Sequence, residues 1–363
     1  MFRNALCLIS SSLKTLQALP SAGVCSSRIN IFSRLSGSVR QASIQIPTSC
    51  SLEPKTCSII TPLAINGFGR IGKNVLRLAL EDQLNVVAIN EPGANIEDIS
   101  YSLKYDTVHG KFSKPVIIKD ENTLDIDGKR VKVFHEREPE NIKWGELPVE
   151  YVIDSTGKFT EIEKAKRHMA AGVKKVIISA PSKDAPMFVK GVNFDKYTKD
   201  MTVVSNASCT TNCAAPLLNI INKHFGVEHC LLTTVHAMTS SQPVLDGVKQ
   251  RSAAGNMVHS TTGAAKAVGI VIPELKGKVN GDSIRVPVLD VSLLKLYIRL
   301  KTPVKEENLK CTELWGCRDI LTVEDKCVSS DFTTIKSDIS FNKLKGVLLL
   351  LSLWTLLSDR DHI

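Results

Sequence analysis

LAINGFGRIG, residues 63–72, decides how the first half of this chain folds. A short apolar run ends at Asn66 and passes directly into Gly67-x-Gly69-x-x-Gly72. KNVLRLAL (73–80) then repeats apolar residues at helical spacing, and NVVAIN (85–90) is a second apolar run closed by Glu91. A glycine triplet alone says little. Set between a strand and a helix, with an acid nineteen residues past Gly72, it forms the full dinucleotide fingerprint. Gly67 permits the tight turn, Gly69 lets the backbone approach a pyrophosphate, and Gly72 allows close helix–strand packing. The pyrophosphate is expected against the N–H groups and positive dipole end of the helix. Glu91 would accept hydrogen bonds from the adenosine ribose and repel a 2′-phosphate, which favours NAD over NADP.

Two further segments extend this sheet. VEYVIDSTG (149–157) and KKVIISAPS (174–182) read as apolar strands ending in small polar residues. EIEKAKRHMAAG between them reads as an amphipathic helix stopped at Gly172. Ligands bind at the C-terminal ends of parallel strands, so Ser155, Thr156, Ser179 and Pro181 are expected to line the crevice. Ordinary turn roles remain the competing reading for these four.

At 363 residues the chain has room for two domains. Apolar content of 43% with 23% charged residues suits a soluble globular enzyme. Ten scattered cysteines in so long a chain fit a reduced compartment better than a disulfide scaffold. The first 52 residues hold no Asp or Glu, five basic residues and twelve serines, the composition of an organellar transit peptide. Without those five, 46 basic residues become 41 against 37 acids, so the net +9 falls to +4. No basic run of five or more appears, so nothing points to a specific nucleic-acid partner. VLLLLSLWTLL (347–357) is too short to span a bilayer, so no membrane partner is expected.

SNASCTTNCAAP (205–216) carries the chemistry. TVVSNAS reads as a strand and NCAAPLLNIINKHFG as a helix, which sets Ser208, Cys209 and Thr210 at the helix N-terminus. The dipole and backbone N–H groups there favour a thiolate and can hold an oxyanion. A metal site lacks a Cys or His cluster at ligand spacing, and a Cys209–Cys213 disulfide one helical turn apart is geometrically poor. Cys213 reads as a packed residue, and no metal is expected. His236, closing the β-branched run in LLTTVHAMTSSQ, is a candidate base. HSTTGAAKAVG (259–269) opens a helix with Thr262 and Gly263, a natural anion site. Arg285, on an alternating strand-like segment, is a fork-shaped phosphate donor.

Together INGFGRIG, KWGELPVEYVIDSTGKFT, VIISAPSKDAPMFVKGVN, SNASCTTNCAAP, TTVHAMT, STTGAAKAVG, VIPELKGKVNG and the IRVP strand resemble the glyceraldehyde-3-phosphate dehydrogenases, most closely the glycolytic plastid type. The likeness runs from about Leu63 to Lys301 and returns at EDKCVSSDF (324–332). It implies an α/β protein: a doubly wound Rossmann NAD-binding domain, then an α/β catalytic domain whose mixed sheet carries Arg285. It also implies that Cys209 attacks the aldehyde of glyceraldehyde 3-phosphate, that His236 handles the proton as hydride passes to NAD, and that inorganic phosphate cleaves the thioester. Thr239 and Arg285 match substrate-phosphate positions; Ser208, Thr210, Thr262 and Gly263 match inorganic-phosphate positions. Asn66, Gly67, Gly69, Arg70, Ile71, Glu91 and Thr156 match cofactor contacts, with Glu91 in place of the family's usual Asp. Phe68, Gly72, Asn90, Arg137, Gly157 and Ser179 complete the expected cofactor set.

The expected division is a transit segment at 1–58, the NAD-binding domain at 59–206, an incomplete catalytic domain at 207–332 and a divergent tail at 333–363. The sequence departs from the family pattern between Asp246 and Arg251, where the loop is shorter, and after Phe332, where the family's final strand, Asn-containing motif and terminal helix have no match. That departure frames a rival expectation, a member that binds nucleotide or partners without turnover. Family members are tetramers, which implies a homo-oligomer, and the leader implies the plastid stroma, with the mitochondrion as alternative.

Overall fold

The computed structural model describes residues 62–248, 251–290 and 292–302, together with the backbone of two short strands at 322–323 and 333–337. The expected transit segment, EDKCVSSDF and VLLLLSLWTLL lie outside the described residues. Among the described residues, no helix is long and apolar enough to cross a membrane.

Two sheets carry the described chain. The first contains β1 (Leu63–Asn66), β2 (Val86–Asn90), β3 (Val116–Asp120), β4 (Thr123–Ile126), β5 (Lys129–Phe134), β6 (Tyr151–Asp154), β7 (Lys175–Ile178) and β8 (Val203–Ser205). Their order is β3-β4-β5-β2-β1-β6-β7-β8. Six strands, β5 to β8 in that order, run parallel, and β3 and β4 add an antiparallel edge. β1 and β6 are fully buried along their length, as strands with both faces covered must be. The strand order reverses direction at β1, between β2 and β6, and a crevice for a ligand opens at such a switch point.

Helix α1 (Arg70–Glu81) follows β1 and buries Gly72, Val75, Leu76, Ala79 and Leu80 against the sheet. Its N-cap, Gly69, supplies no side-chain acceptor, so the first turn keeps its amide groups for a ligand. α2 (Ile96–Lys104) is capped by Asn95 and follows β2; α3 (Ile162–Ala170) connects β6 to β7. The α/β alternation and the core of Leu63, Ile65, Leu76, Ile89 and Ile153 agree with the doubly wound reading.

The second sheet contains β9 (Val227–His236), β10 (Val258–Thr261), β11 (Val279–Arg285), β12 (Ser292–Leu300), β13 (Thr322–Val323) and β14 (Thr333–Ser337), ordered β10-β11-β9-β12-β14-β13. It is mixed: β9 and β11 are parallel and the other pairs antiparallel. Helices α4 (Cys209–Phe225) and α5 (Ala264–Val271) cover one face through Leu217, Leu218, Ile221, Val268 and Val271. β14 pairs with β12 from Leu294↔Ser337 to Ile298↔Thr333, inside the stretch read as a divergent tail.

Candidate active site

β8 delivers the chain to a sharp turn at Asn206 and Ala207, where Ala207 has φ +54°, and Ser208 then caps α4. The Ser208 Oγ accepts from Thr211 N at 3.0 Å and lies 2.7 Å from Thr211 Oγ1. Cys209 is thus the first residue of a seventeen-residue helix and half-buried, while Cys213 is buried one turn on. The third described cysteine, Cys230, is a useful contrast: burial pushes its thiol up to about 12. An apolar shell silences that sulfur. Cys209 stands instead where the helix dipole favours negative charge.

β9 ends at His236 and β11 at Arg285, and the two are register partners. This pairing brings the candidate base and the guanidinium to one sheet end, facing the start of α4. The Cys209 Sγ is 3.4 Å from His236 Nε2. On the other side of the ring, Nδ1 lies 2.7 Å from Arg285 Nη1 and 2.8 Å from the Ala237 carbonyl. The same Nη1 donates to the Ala237 oxygen at 3.3 Å. The guanidinium can only donate to Nδ1 and the Ala237 carbonyl can only accept from it, so the Arg285 contact suits a ring protonated on Nε2 and the carbonyl contact a ring protonated on Nδ1. With Nδ1–H on the carbonyl, Nε2 is the acceptor that can take the Cys209 proton. Burial draws the Arg285 pKa below its ordinary value, with the charge of Cys209 opposing the shift. Arg285 nonetheless stays cationic at neutral pH.

The crevice at the ends of β1, β2 and β6 fits a dinucleotide. A Cβ on Gly67, at φ +85°, would lie 2.8 Å from Thr156 Cγ2, and one on Gly72 would lie 2.0 Å from the Gly67 carbonyl. At Gly69 a Cβ would meet nothing within 4 Å, so this position leaves space in front of the helix where a pyrophosphate approaches. The Glu91 carboxylate accepts from Phe68 N at 2.8 Å and Gly93 N at 3.1 Å, which fixes it beside the glycine turn. The Ser155 Oγ, just past the end of β6, is buried without a protein hydrogen-bond partner.

Two family profiles match the chain. The one described as glyceraldehyde 3-phosphate dehydrogenase, NAD binding domain, covers residues 61–162, and the one described as the C-terminal domain covers residues 208–359. The chain belongs to the glyceraldehyde-3-phosphate dehydrogenase family. The glyceraldehyde-3-phosphate dehydrogenase of Ogataea parapolymorpha is 47% identical over 312 residues, 83% of this chain and 93% of the relative. That of Wickerhamomyces ciferrii is 49% identical over 299 residues, 79% and 89% of the two chains. The relative from Gracilaria gracilis, named cytosolic, is 46% identical over 302 residues, 80% and 90%. Membership makes the chain an NAD-dependent phosphorylating oxidoreductase.

The structure brings together Cys209, His236 and Arg285, and the remaining expected residues take varied positions. Asn66 and Asn90 are buried, and their side chains face inward rather than into the crevice. Asn90 Nδ2 donates to Asn66 Oδ1 at 2.8 Å and to the Glu136 carbonyl, and Asn66 Nδ2 donates to Asp154 Oδ2 at 2.7 Å. The Phe68 ring packs in the core, leaving its backbone as the part that touches Glu91. Ile71 also packs on that core, while Arg70 reaches across to the Leu289 carbonyl at 3.3 Å. Arg137 is exposed just past the Glu136 contact that ties β5 to Asn90. Thr156 donates both N–H and hydroxyl to Asp154 Oδ1, at 3.1 and 2.7 Å. Gly157 (φ +69°) and Ser179 follow β6 and β7.

Thr239 lies in the loop after β9, its hydroxyl 3.0 Å from Ser241 Oγ. Thr210 is buried, its hydroxyl 4.0 Å from the Cys209 sulfur. Thr262 and Gly263 open α5, beyond Thr261↔Asp282, at the end of the β10–β11 ladder opposite Arg285.

Sequence reasoning missed the group beneath the crevice. Asp154 and His168 are almost wholly buried, with His168 Nε2 3.2 Å from Asp154 Oδ2 and Trp144 Nε1 donating to His168 Nδ1 at 3.2 Å. The indole can only donate, so His168 carries its proton on Nε2 and gives it to Asp154. The available signals were an acid closing the apolar run YVID and a histidine on the inward face of α3.

Proposed function

We propose that the chain converts glyceraldehyde 3-phosphate, inorganic phosphate and NAD to 1,3-bisphosphoglycerate and NADH through a thioester on Cys209. The contact between the Cys209 sulfur and His236 Nε2 at a helix N-terminus carries this reading. His236 Nε2 takes the Cys209 proton, the ring then being an imidazolium with Nδ1–H on the Ala237 carbonyl. The thiolate attacks the aldehyde carbon, forming a C–S bond. The new oxyanion develops at the amide end of α4, where the helix field lowers its energy. The imidazolium returns that proton from Nε2 to the oxygen, which gives the thiohemiacetal and a neutral His236. NAD, when bound, accepts the hydride from that carbon. As the hydride departs, His236 removes the hydroxyl proton and a thioester remains. Inorganic phosphate then attacks the acyl carbon, the C–S bond breaks, and Cys209 leaves as thiolate.

Arg285 and Thr239 are assigned to the substrate phosphate, and Ser208, Thr210, Thr262 and Gly263 to the attacking phosphate. A substrate phosphate on Arg285 would draw that donor away from His236 Nδ1, leaving Nδ1 to carry its proton on the Ala237 carbonyl. Gly67, Gly69, Arg70, Ile71, Gly72, Glu91, Arg137, Thr156, Gly157 and Ser179, with the Phe68 backbone, are assigned to NAD. Asn66 and Asn90 are assigned to holding its turn. The test is phosphate-dependent NADH formation by the purified chain, which Cys209→Ser should abolish. Absence of turnover in folded, NAD-binding protein would overturn the proposal.

The division at 58, 206 and 332, plastid import and a tetramer are further parts of this reading. The acid-free leader supports import, and the half-exposed Leu231 on β9 supports association with further copies. A fluorescent fusion retained in the cytosol would sink the first, and light scattering of a monomer would sink the second.

A further inference from the structure

The turn that presents Cys209 is held in an unfavourable backbone state, and one side chain spans it. Ala207 sits at φ +54°, a left-handed conformation that an L-residue with a Cβ resists. Asn212, in the first turn of α4 and buried, points back over that turn. Its Nδ2 donates to the Asn206 carbonyl at 2.7 Å and to the Ser208 carbonyl at 2.9 Å. These are the carbonyls on either side of Ala207. Because both facing atoms are carbonyl oxygens, the amide must present nitrogen to them. Its backbone N–H also donates to Ser208 O at 2.9 Å, so one residue fastens the turn twice. Ser205 Oγ adds a bond from Ala207 N at 3.1 Å, but from the strand side only.

We propose that Asn212 is a positioning residue for the nucleophile: its amide clasps the left-handed turn at Ala207 and thereby fixes Cys209 within reach of His236. The proposal rests on the assignment of Cys209 as nucleophile. Strain at a functional turn persists only where surrounding contacts over-determine it, and Asn212 supplies those contacts. Small displacements of a reacting atom carry large rate penalties. Two charged or titratable groups also face the sulfur, His236 from β9 and Arg285 from β11, and neither touches Asn212 in the hydrogen bonds described.

The test uses the full chain with Asn212→Ala, Ala207→Gly and the double variant. Three readouts are followed: kcat, KM for NAD, and the rate at which iodoacetamide alkylates Cys209, located by peptide mass. Asn212→Ala should lower kcat and the alkylation rate about tenfold while KM for NAD stays within about twofold. Ala207→Gly removes the penalty for a positive φ, so the double variant should regain most of both rates. A purely structural role for Asn212 would lower thermal stability and leave the alkylation rate of folded protein unchanged, which overturns the proposal. So does a double variant as slow as Asn212→Ala. If Asn212→Ala does not fold, Ala207→Gly is compared with the double variant: rates within about twofold support the clasp, and a tenfold gap refutes it. Alkylation of the wild-type chain at another cysteine, with full turnover in Cys209→Ser, would instead overturn the nucleophile assignment and this proposal with it.

Discussion

Glu91 is the side chain to which we assign cofactor choice. Both its oxygens already accept backbone N–H groups, from Phe68 and Gly93, so the carboxylate is aimed before a ribose arrives. A 2′-phosphate would meet this fixed anion. Glu91→Ala should therefore improve the ratio of kcat/KM for NADP over NAD by roughly tenfold, about 1.4 kcal/mol of repulsion relieved; an unchanged ratio in steady-state assays would remove Glu91 from the ribose site. Residues of this kind were legible because motif spacing names them, as it names Cys209, His236 and Arg285. Asn212 was not legible. An Asn near a helix start usually faces water or caps its own helix, and only the fold reveals that it reaches back to residues 206 and 208.

At the scale of elements, α1 is secured to its neighbour by charge as well as by its apolar face. Lys73 Nζ reaches Asp106 Oδ2 and the Ser102 carbonyl, both at 3.2 Å, and Arg77 Nη2 donates to the Leu103 carbonyl at 2.8 Å. Burial alone would raise the Asp106 pKa. Backbone N–H groups of His109 and Val108, with Lys73, outweigh it and hold the carboxyl at about 2. A lowered native pKa stabilises the fold above the unfolded value near 4, and that stabilisation is lost as pH falls through about 2. Thermal melts across this window should show Asp106→Asn losing less stability on acidification than the parent, by about 1 kcal/mol after solvent screening. Parallel slopes for the two chains would contradict it.

Five of the six parallel strands, all but β5, and α1 were readable from apolar runs and glycines. The meander of β3, β4 and β5 was not assigned, because VIIKD, TLDI and KRVKVF are short and mostly exposed on one face. Its one strong signal is Asp127-Gly128, both at positive φ, the pair that closes a tight hairpin.

Across the whole molecule, the group of Cys209, His236 and Arg285 lies where the second sheet's end meets the start of α4, and the proposed cofactor crevice lies in the first sheet. β8 runs from one to the other, ending three residues before Ser208. Arg70, at the cofactor turn, touches the Leu289 carbonyl after β11, so the two sheets also meet through a direct hydrogen bond. This general plan was visible in the order of motifs. The fit between distant segments was not, since it depends on strand register: Arg285 faces His236 only because β11 and β9 pair in that frame.

The buried group of Asn66, Asn90, Asp154, His168 and Trp144 has a consequence for how this sequence can change over time. Five side chains from five separated stretches satisfy one another out of water, around one carboxylate. Replacing any one strands its partners, whereas replacing several together can restore the balance. Drift at these positions is therefore expected in company rather than singly. A lineage that altered Asp154 would have to travel through a poorly folding ancestor or change its neighbours first.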